Sequence, residues 1–558
     1  PVLFIDNGFE SMQKILRILI IIAMLITAYL LILAWRDDYA RKPVVTQPVA
    51  TQTTHADVPT TQVVGDIPSL TAGSVADLAD TDLITVSTDR YEIKINPVGG
   101  DIVYAALKQH NATKDSTEPF VLLETDLRTY VAQSGLIGRD GIDTAEGRAV
   151  YHSPRSSYVL NPSAGSLQVP LTYHKDGLTI TKTYTFNAGK YPINLSYNIN
   201  NNSNQPWQGQ MYAQLKRDSS KDPGLEDKGM LGMSTYLGGA WGVPSDPYNK
   251  LKFSNFDDNI NISSKDGWVA IVQHYFVSAW TPSNSFEADF FARTTGKDFY
   301  IGYNSPVINV ASGKQITLNS TLYAGPKVQS EMASVAEGLN QTVDYGLLWP
   351  ISKVLFAILD NINKVIGNWG WSIIVLTLII KVALFWLSNK SYMSMAKMRA
   401  IAPKLQALKD KHGDDRMAMS QEMMQLYRDE KVNPMAGCLP ILIQMPIFLG
   451  LYWMLVESVE LRHAPWIGWI TDLSAMDPWF ILPIFMGITM FVQQMLNPQP
   501  TDPMQAKMMK ILPMIFVVFM LWFPAGLVLY WTVNNLFSMT HQHLVNKRVE
   551  RQMKAKQA

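Results

Sequence analysis

The sequence predicts a polytopic α-helical membrane bundle of six spans that carries a large all-β domain. Three observations lead there. Only 17% of the 558 residues are charged while 47% are hydrophobic, where soluble chains run to about a quarter charged. Several apolar runs approach the length of a membrane span. Between them lies a stretch of about 240 residues in which apolar and polar residues alternate. Lys+Arg 47 balances Asp+Glu 47, so bulk charge does not suggest a nucleic-acid binder. The lone cysteine, Cys438, excludes an internal disulfide framework and a cysteine-built metal cluster.

The first apolar run, Ile15 to Trp35, is flanked by Lys14 and Arg17 and then by Arg36-Asp37-Asp38. Roughly 20 helical residues cross a ~30 Å hydrocarbon core, so the run is long enough to span. Its exit, Leu33-Ala34-Trp35-Arg36, lacks the small-x-small pattern of a cleaved signal. Residues 12–36 therefore read as an uncleaved anchor, and Pro1 to Ser11 as an extension before Met12. Residues 37–80, with Pro43, Pro48, Pro59 and Pro68 among Thr, Gln and Ala, read as a flexible tether. Residues 81–325 read as a β-sandwich. Leu178, Ile180, Tyr184 and Phe186 alternate after the turn Lys175-Asp176-Gly177, Ile193, Leu195, Tyr197 and Ile199 alternate in the next strand, and Gly99-Gly100 and Gly238-Gly239 read as turns.

Beyond Glu331 the period becomes helical. Residues 326–366 read as a linker and an amphipathic interfacial helix whose stripe is Leu348, Ile351, Leu355, Ile358, Ile362 and Val365. A second transmembrane helix occupies 367–388, a cytoplasmic helical hairpin 389–437, spans three to six 438–540, and a basic tail 541–558. Leu439 to Val456 and Phe480 to Leu496 are single spans. Ile511 to Phe537 is flanked by Lys507 and Lys510 before it and Lys547, Arg548 and Arg551 after it. The positive-inside rule puts both flanks in the cytoplasm and so demands two short helices turning at Pro524-Ala525-Gly526, exposed outside. Such short spans imply a thinned bilayer. Counting back puts both termini in the cytoplasm and the β domain outside, although Arg36, Arg41 and Lys42 flank the outer end of the first span.

Several segments resemble a known family. Ser134-Gly-Leu-Ile-Gly-Arg-Asp-Gly141 and Asn261-Ile-Ser-Ser-Lys-Asp-Gly-Trp-Val-Ala270 are similar to the periplasmic domain of the YidC insertases. So are Ser394-Met-Ala-Lys-Met-Arg399, Glu430-Lys-Val-Asn-Pro434, Leu442-Ile-Gln-Met-Pro-Ile-Phe448 and Leu521-Trp-Phe-Pro-Ala-Gly-Leu-Val-Leu-Tyr530 in the membrane part. The resemblance covers nearly the whole chain. It implies the Gram-negative form of that family, whose relatives are the mitochondrial oxidase-assembly and chloroplast Albino insertases. It further implies a multi-pass protein of the bacterial inner membrane that inserts and folds inner-membrane proteins, alone or beside the Sec translocon, without nucleotide hydrolysis. The expected architecture is a five-helix core enclosing a hydrophilic groove, beside a periplasmic β-supersandwich. The implied partners are nascent inner-membrane proteins, the Sec translocon with its auxiliary subunits, the ribosome and signal recognition pathway, and lipid; no cofactor and no specific nucleic acid are implied.

Lys381 lies about twelve residues into the second span, with Thr377 and Ser388 on its face. An ionisable residue inside a span is a functional candidate, because its burial near mid-bilayer costs at least ~2.5 kcal/mol. The alternative is snorkelling to the headgroups. Relatives typically carry Arg at the matching position, so Lys here keeps the charge and loses the bidentate fork. Gln444, Thr489, Gln493, Gln494, Thr532, Asn534 and Asn535 add polar groups to later spans. Singly each reads as an interhelical hydrogen bond worth ~0.6 kcal/mol; together with Lys381 they favour one wet groove. By resemblance, Thr377, Phe448, Met486, Phe519, Tyr530 and Trp531 match positions along which a client helix slides, against ordinary packing as the alternative. In the hairpin, Met395 and Met398 precede a stop at His412-Gly413, and Met419 and Met423 follow an Asp414 or Asp415 cap. These methionines suit apolar clients or else pack the hairpin's own core. The basic tail reads first as the positive-inside signal rather than as a site for ribosomal RNA or anionic lipid.

No Walker loop, HExxH, GxSxG or cysteine cluster appears, so no catalytic residues are expected. His541 and His543 stand two apart, off a common helical face, so no metal site is expected either. The competing readings are a small-solute transporter, disfavoured by the absence of paired helical repeats, and a structural accessory of the translocon in which the β domain acts. The groove reading makes Lys381 a charge that attracts acidic or polar client flanks. Lys381→Arg is therefore expected to keep activity and Lys381→Ala to impair charged-tail clients. Lys381→Glu is expected to be worst for acidic tails, as measured by insertion of a matched client pair differing only in tail charge.

Overall fold

The computed structural model describes residues 83–558 apart from 145–146, 223–235, 259, 261, 284–285, 413–414, 431, 433–438, 498–502 and 558. The expected anchor (12–36), the tether (37–80) and Cys438 lie outside the described residues.

Residues 84 to 326 form a large β-sandwich. Among the described residues one sheet has eleven strands and the other eight. Ser166–Lys175 and Leu178–Asn187 pair through a two-residue turn in which Asp176 (φ 50) and Gly177 (φ 79) both take left-handed backbone, the combination that matches strand twist. Ile180, Tyr184 and Phe186 face the core, as do Ile193, Leu195, Tyr197 and Ile199 of Pro192–Asn201. Lys182 breaks the pattern, because it is fully buried in the same file. Its ammonium donates to Gly99 O (2.9 Å) and Ser134 O (3.1 Å) and lies over the rings of Tyr151, Tyr184 and Tyr197. Burial pushes its pKa down to about 7, opposed by Asp101. Gly238 and Gly239 are not a turn. They start the strand Gly238–Val243, where a Cβ would strike Tyr236 Oη at 2.7 Å and the Phe256 ring at 2.7 Å.

The expected linker is itself structured: α1 (Gln329–Val335) and two 3-10 turns precede α2 (Trp349–Ile366). The face that α2 buries differs from the sequence stripe. Ser352, Leu355 and Leu359 are buried, whereas Val365 is 87% exposed. Ser352 was missed as polar, yet its hydroxyl donates to Gly450 O at 2.8 Å, and Gly450 lacks the side chain that would crowd Ile351. α2 ends at Gly367 (φ 72), and Asn368 caps α3 (Trp369–Ala383) by accepting from Trp371 N at 3.1 Å.

The second span does not continue straight to Ser388. α3 stops at Ala383, and α4 (Phe385–Ala400) leaves at 69° to it. No proline or glycine marks the bend, so periodicity alone runs through it. The hairpin's first arm breaks again before α5 (Ala402–His412), because Pro403 removes a backbone donor and resists a continuous helix. α6 (Arg416–Asp429) starts at Asp415, whose carboxylate accepts from Met417 N and Ala418 N at 3.1 Å each. α7 (Leu439–Glu457) and α8 (Ile481–Leu496) follow. The last apolar stretch is two helices, α9 (Pro503–Met520) and α10 (Ala525–Gln557). Their junction is not exposed, however: Ala525 is fully buried, and it and Gly526 donate to Ala475 O (2.7 Å) and Leu473 O (2.9 Å) of the 458–480 loop. Among the described residues no single helix is long and apolar enough to cross a membrane alone; the bent α3–α4 pair is so by its combined length and composition.

The β domain is held by more than a chain connection. Lys327, just past its last strand, pairs with Glu457 at the end of α7 at 3.0 Å, and both side chains are buried. His274 Nε2 lies 2.9 Å from Val456 O. Arg462 donates to Asn111 O (2.8 Å) and Ala112 O (3.1 Å) and lies over the stacked rings of Phe120 and Phe276. His110 packs edge-on to Phe276; burial and then Arg462 push its pKa down to about 4, so it stays neutral in the contact. Removing one partner of a buried pair strands the other charge, at a cost of about 3–5 kcal/mol. Lys327→Met or Glu457→Gln is accordingly expected to loosen this contact and speed hydrogen exchange at residues 110–112 and 273–276, with Lys327→Met/Glu457→Leu restoring most of the protection.

Candidate functional site

α10 organises the polar interior. Tyr530, Asn534 and Ser538 recur at four-residue intervals, so they share one face, and all three are buried. Gln444 of α7 donates to Tyr530 Oη at 3.3 Å and to Asn534 Oδ1. Lys381, in the last turn of α3, is buried and donates to Ser538 Oγ at 2.8 Å. A second polar file runs beside the first. Asn535 donates to Thr489 Oγ1 of α8 at 3.3 Å, and Gln542 donates to Asn497 Oδ1 (2.9 Å) and Leu496 O (3.3 Å). From Tyr530 to Gln542 these contacts span roughly 18 Å of helix. Gln542 Oε1 and both polar side-chain atoms of Asn546 are buried without a partner, which marks the hairpin end of the file as polar and incompletely satisfied.

Lys381 has a neutral acceptor rather than a carboxylate. Glu457, the acid nearest in sequence to the later spans, is taken by Lys327. Thr377, expected as a face-mate, is buried but closes on its own helix by donating to Ile373 O at 2.7 Å. Ser388 is buried beyond the bend. Ser538 and Gln542 were missed in the sequence, although the signal was present: they stand one and two turns past Asn534. His541 is held by rings, stacked on Phe385 at 4.4 Å and edge-on to Tyr392 at 5.0 Å.

The residues matched to client contact separate into layers. Met486 and Tyr530 are fully buried, Phe448 is nearly so, Trp531 is half-buried, and Phe519 is 40% exposed. Phe448 and Trp531 pack edge-on at 4.7 Å, Phe516 lies 5.1 Å from Trp531, and Phe519 lies against Phe523 at 4.8 Å. The methionines of the hairpin also divide. Met398 and Met423 pack against the hairpin core of Ile401, Leu405 and Val432, Met395 packs against Tyr392, Val545 and Val549 at the base of α10, and Met419 is half-buried.

Comparison with known proteins covers both halves of the chain. The family described as "60Kd inner membrane protein" matches residues 361–553, and the "YidC periplasmic domain" matches 83–358. A Pseudomonas putida protein named membrane protein insertase YidC is 48% identical over 557 residues, covering 96% of this chain and 99% of the relative. A Marinomonas protein of the same name is 49% identical over 542 residues, covering 95% and 98%. A solved structure of an active YidC insertase with its first transmembrane domain resolved aligns over 83% of this chain and 92% of that one, at 18% identity and a TM-score of 0.36.

Proposed function

This chain belongs to the YidC family of membrane protein insertases and acts as one in the inner membrane, with a periplasmic β domain, and we propose that its clients pass along the polar file of α10 under the pull of Lys381. The observation that carries this reading is the Lys381–Ser538 contact, a buried ammonium satisfied by a hydroxyl. A hydrogen bond to a charged group is worth about 1.5–3 kcal/mol, and a carboxylate or carbonyl on an arriving client flank competes well for that ammonium. Gln444 and Asn534 then offer amide groups to the backbone and polar side chains that follow. The client's apolar helix leaves sideways past Trp531 and Phe519, and its burial in lipid at ~25 cal/mol per Å² supplies the driving force. The family is not known for enzymatic activity, and this mechanism asks for none.

Helix lengths support the thinned path. α3 has 15 residues and α8 has 16, roughly 22–24 Å of helix against a ~30 Å core. The orientation we propose is six spans with both termini and the hairpin cytoplasmic. The Sec translocon and its auxiliary subunits are proposed partners on the membrane and periplasmic sides. The ribosome and signal recognition pathway are proposed partners at the hairpin and tail.

Two outcomes check these readings. Ser538→Asp places a permanent carboxylate on Lys381, so insertion of acidic-tailed clients is expected to fall by about an order of magnitude, the equivalent of one charged hydrogen bond, while Ser538→Ala retains most activity. Equal insertion by both variants would remove Lys381 from the path. For topology, Trp522 is 48% exposed beside the covered turn. A cysteine there, in a Cys438→Ser background, is expected to react with impermeant maleimide from the periplasm, whereas one at Lys547 reacts only after permeabilisation.

A further inference from the structure

His541 stands three residues past Ser538 on α10, so the two side chains share a face. Its ring is held on two sides. It stacks on Phe385 at 4.4 Å with the planes only 5° apart, and Tyr392 packs edge-on to it at 5.0 Å. Stacking fixes the plane of the imidazole and leaves its nitrogens on the rim. His541 is 7% exposed, and its Nε2 is buried with no hydrogen-bond partner among the described residues. A buried polar atom left unpaired is costly, and a phenylalanine would make the same ring contacts without that cost. Lys381 is the charged neighbour. Phe385 follows it by four residues across the bend, its ammonium donates to Ser538 Oγ at 2.8 Å, and its charge acts on the imidazole. The Tyr392 hydroxyl reaches Ser538 as well.

We propose that His541 is a client-binding residue, its Nε2–H and the Lys381 ammonium together gripping a carboxylate on the client's polar flank, one donor to each oxygen. The inference rests on the proposed client path along α10 and adds a second contact to it. A neutral imidazole carries one N–H, and the Nε2–H tautomer sets that donor beside an ammonium whose acceptor is a neutral hydroxyl. One positive charge and two donors match a single carboxylate with its two oxygens. The carboxylate takes the place of the Ser538 hydroxyl as the ammonium's acceptor. Nε2 belongs to a residue only about 4.5 Å further along the helix axis. Hydrogen bonds to an ionised acceptor are roughly twice as strong as neutral ones, and a ring already fixed by stacking loses little freedom in making one. A carboxamide in the same place would turn an N–H₂ group toward one of the two donors. The pair of groups therefore selects acidic over amide side chains on the client flank.

The test uses the full chain in proteoliposomes and a matched pair of single-span clients whose translocated tails differ only in Asp against Asn. His541→Phe keeps the ring stack and removes the donor. His541→Gln gives up the stack and returns an N–H. The expected result is an initial insertion rate of the Asp client about tenfold lower with His541→Phe, the effect of one hydrogen bond to a charged group. The Asn client is expected to stay within twofold of wild type, and His541→Gln to keep at least half the wild-type rate on the Asp client. A packing role predicts the reverse order, with Phe as good as His and Gln worse on both clients. That order overturns the proposal, as does an equal loss of both clients with His541→Phe. Lys381→Ala in the same assay separates the two levels. If it slows the Asp client while His541→Phe does not, the client path along α10 stands and the His541 contact falls. If neither variant slows the Asp client, both fall.

Discussion

Burying an ammonium group among helices costs at least ~2.5 kcal/mol at mid-span, and Lys381 is buried with the Ser538 hydroxyl as its acceptor. A carboxylate partner would neutralise the charge and fix it in place. A hydroxyl accepts its hydrogen bond without adding a counter-charge. Much of the interior follows from that choice. α10 must present polar groups toward α3 and α7, which it does with Ser538, Asn534 and Tyr530 on one face. α3 must end soon after Lys381, which it does at the 69° bend before Phe385. The bend brings α4 against α10, where Phe385 and Tyr392 pack around His541.

The same separation of charges organises the opposite end of the bundle. Glu457 answers Lys327 from the β domain rather than Lys381 from the bundle. That assignment ties the β domain to α7 by a buried pair. Arg462, His274 and the Phe120–Phe276 stack extend the contact. The 458–480 loop covers the α9–α10 junction through Ala475 and Leu473. The β domain is thus a docked part of the molecule, and a cavity of about 500 Å³ lies within its contact with the helices.

Much of this architecture was readable in the residues, for identifiable reasons. Strand alternation around Asp176-Gly177 and the charge flanks of the 511–537 stretch each follow a simple rule, so the sandwich and the broken final pair were both foreseen. What escaped shares a different cause: it depends on a partner distant in sequence. Lys182 and Ser352 look like solvent-facing residues until Gly99, Ser134 and Gly450 are brought beside them. Gly238 and Gly239 look like a turn until Tyr236 and Phe256 occupy the space a side chain would need. The bend at Leu384 has no proline or glycine to announce it. In the candidate site, Lys381, Gln444 and Asn534 stood out as polar residues in apolar runs. Ser538 and Gln542 fell past the apolar window, although helical spacing from Asn534 leads to both.

The central claim is that clients travel along the α10 file rather than over the lipid-facing surface, and site-specific photocrosslinking to stalled nascent chains tests it most directly. A photoreactive residue is placed in turn at 381, 534 and 538, and at the exposed lipid-side positions Ile488 and Ile515. The account predicts client adducts from 381, 534 and 538 at short nascent-chain lengths, with adducts from 488 and 515 weaker throughout. Strong adducts from 488 or 515 with none from 381 at any chain length would contradict it.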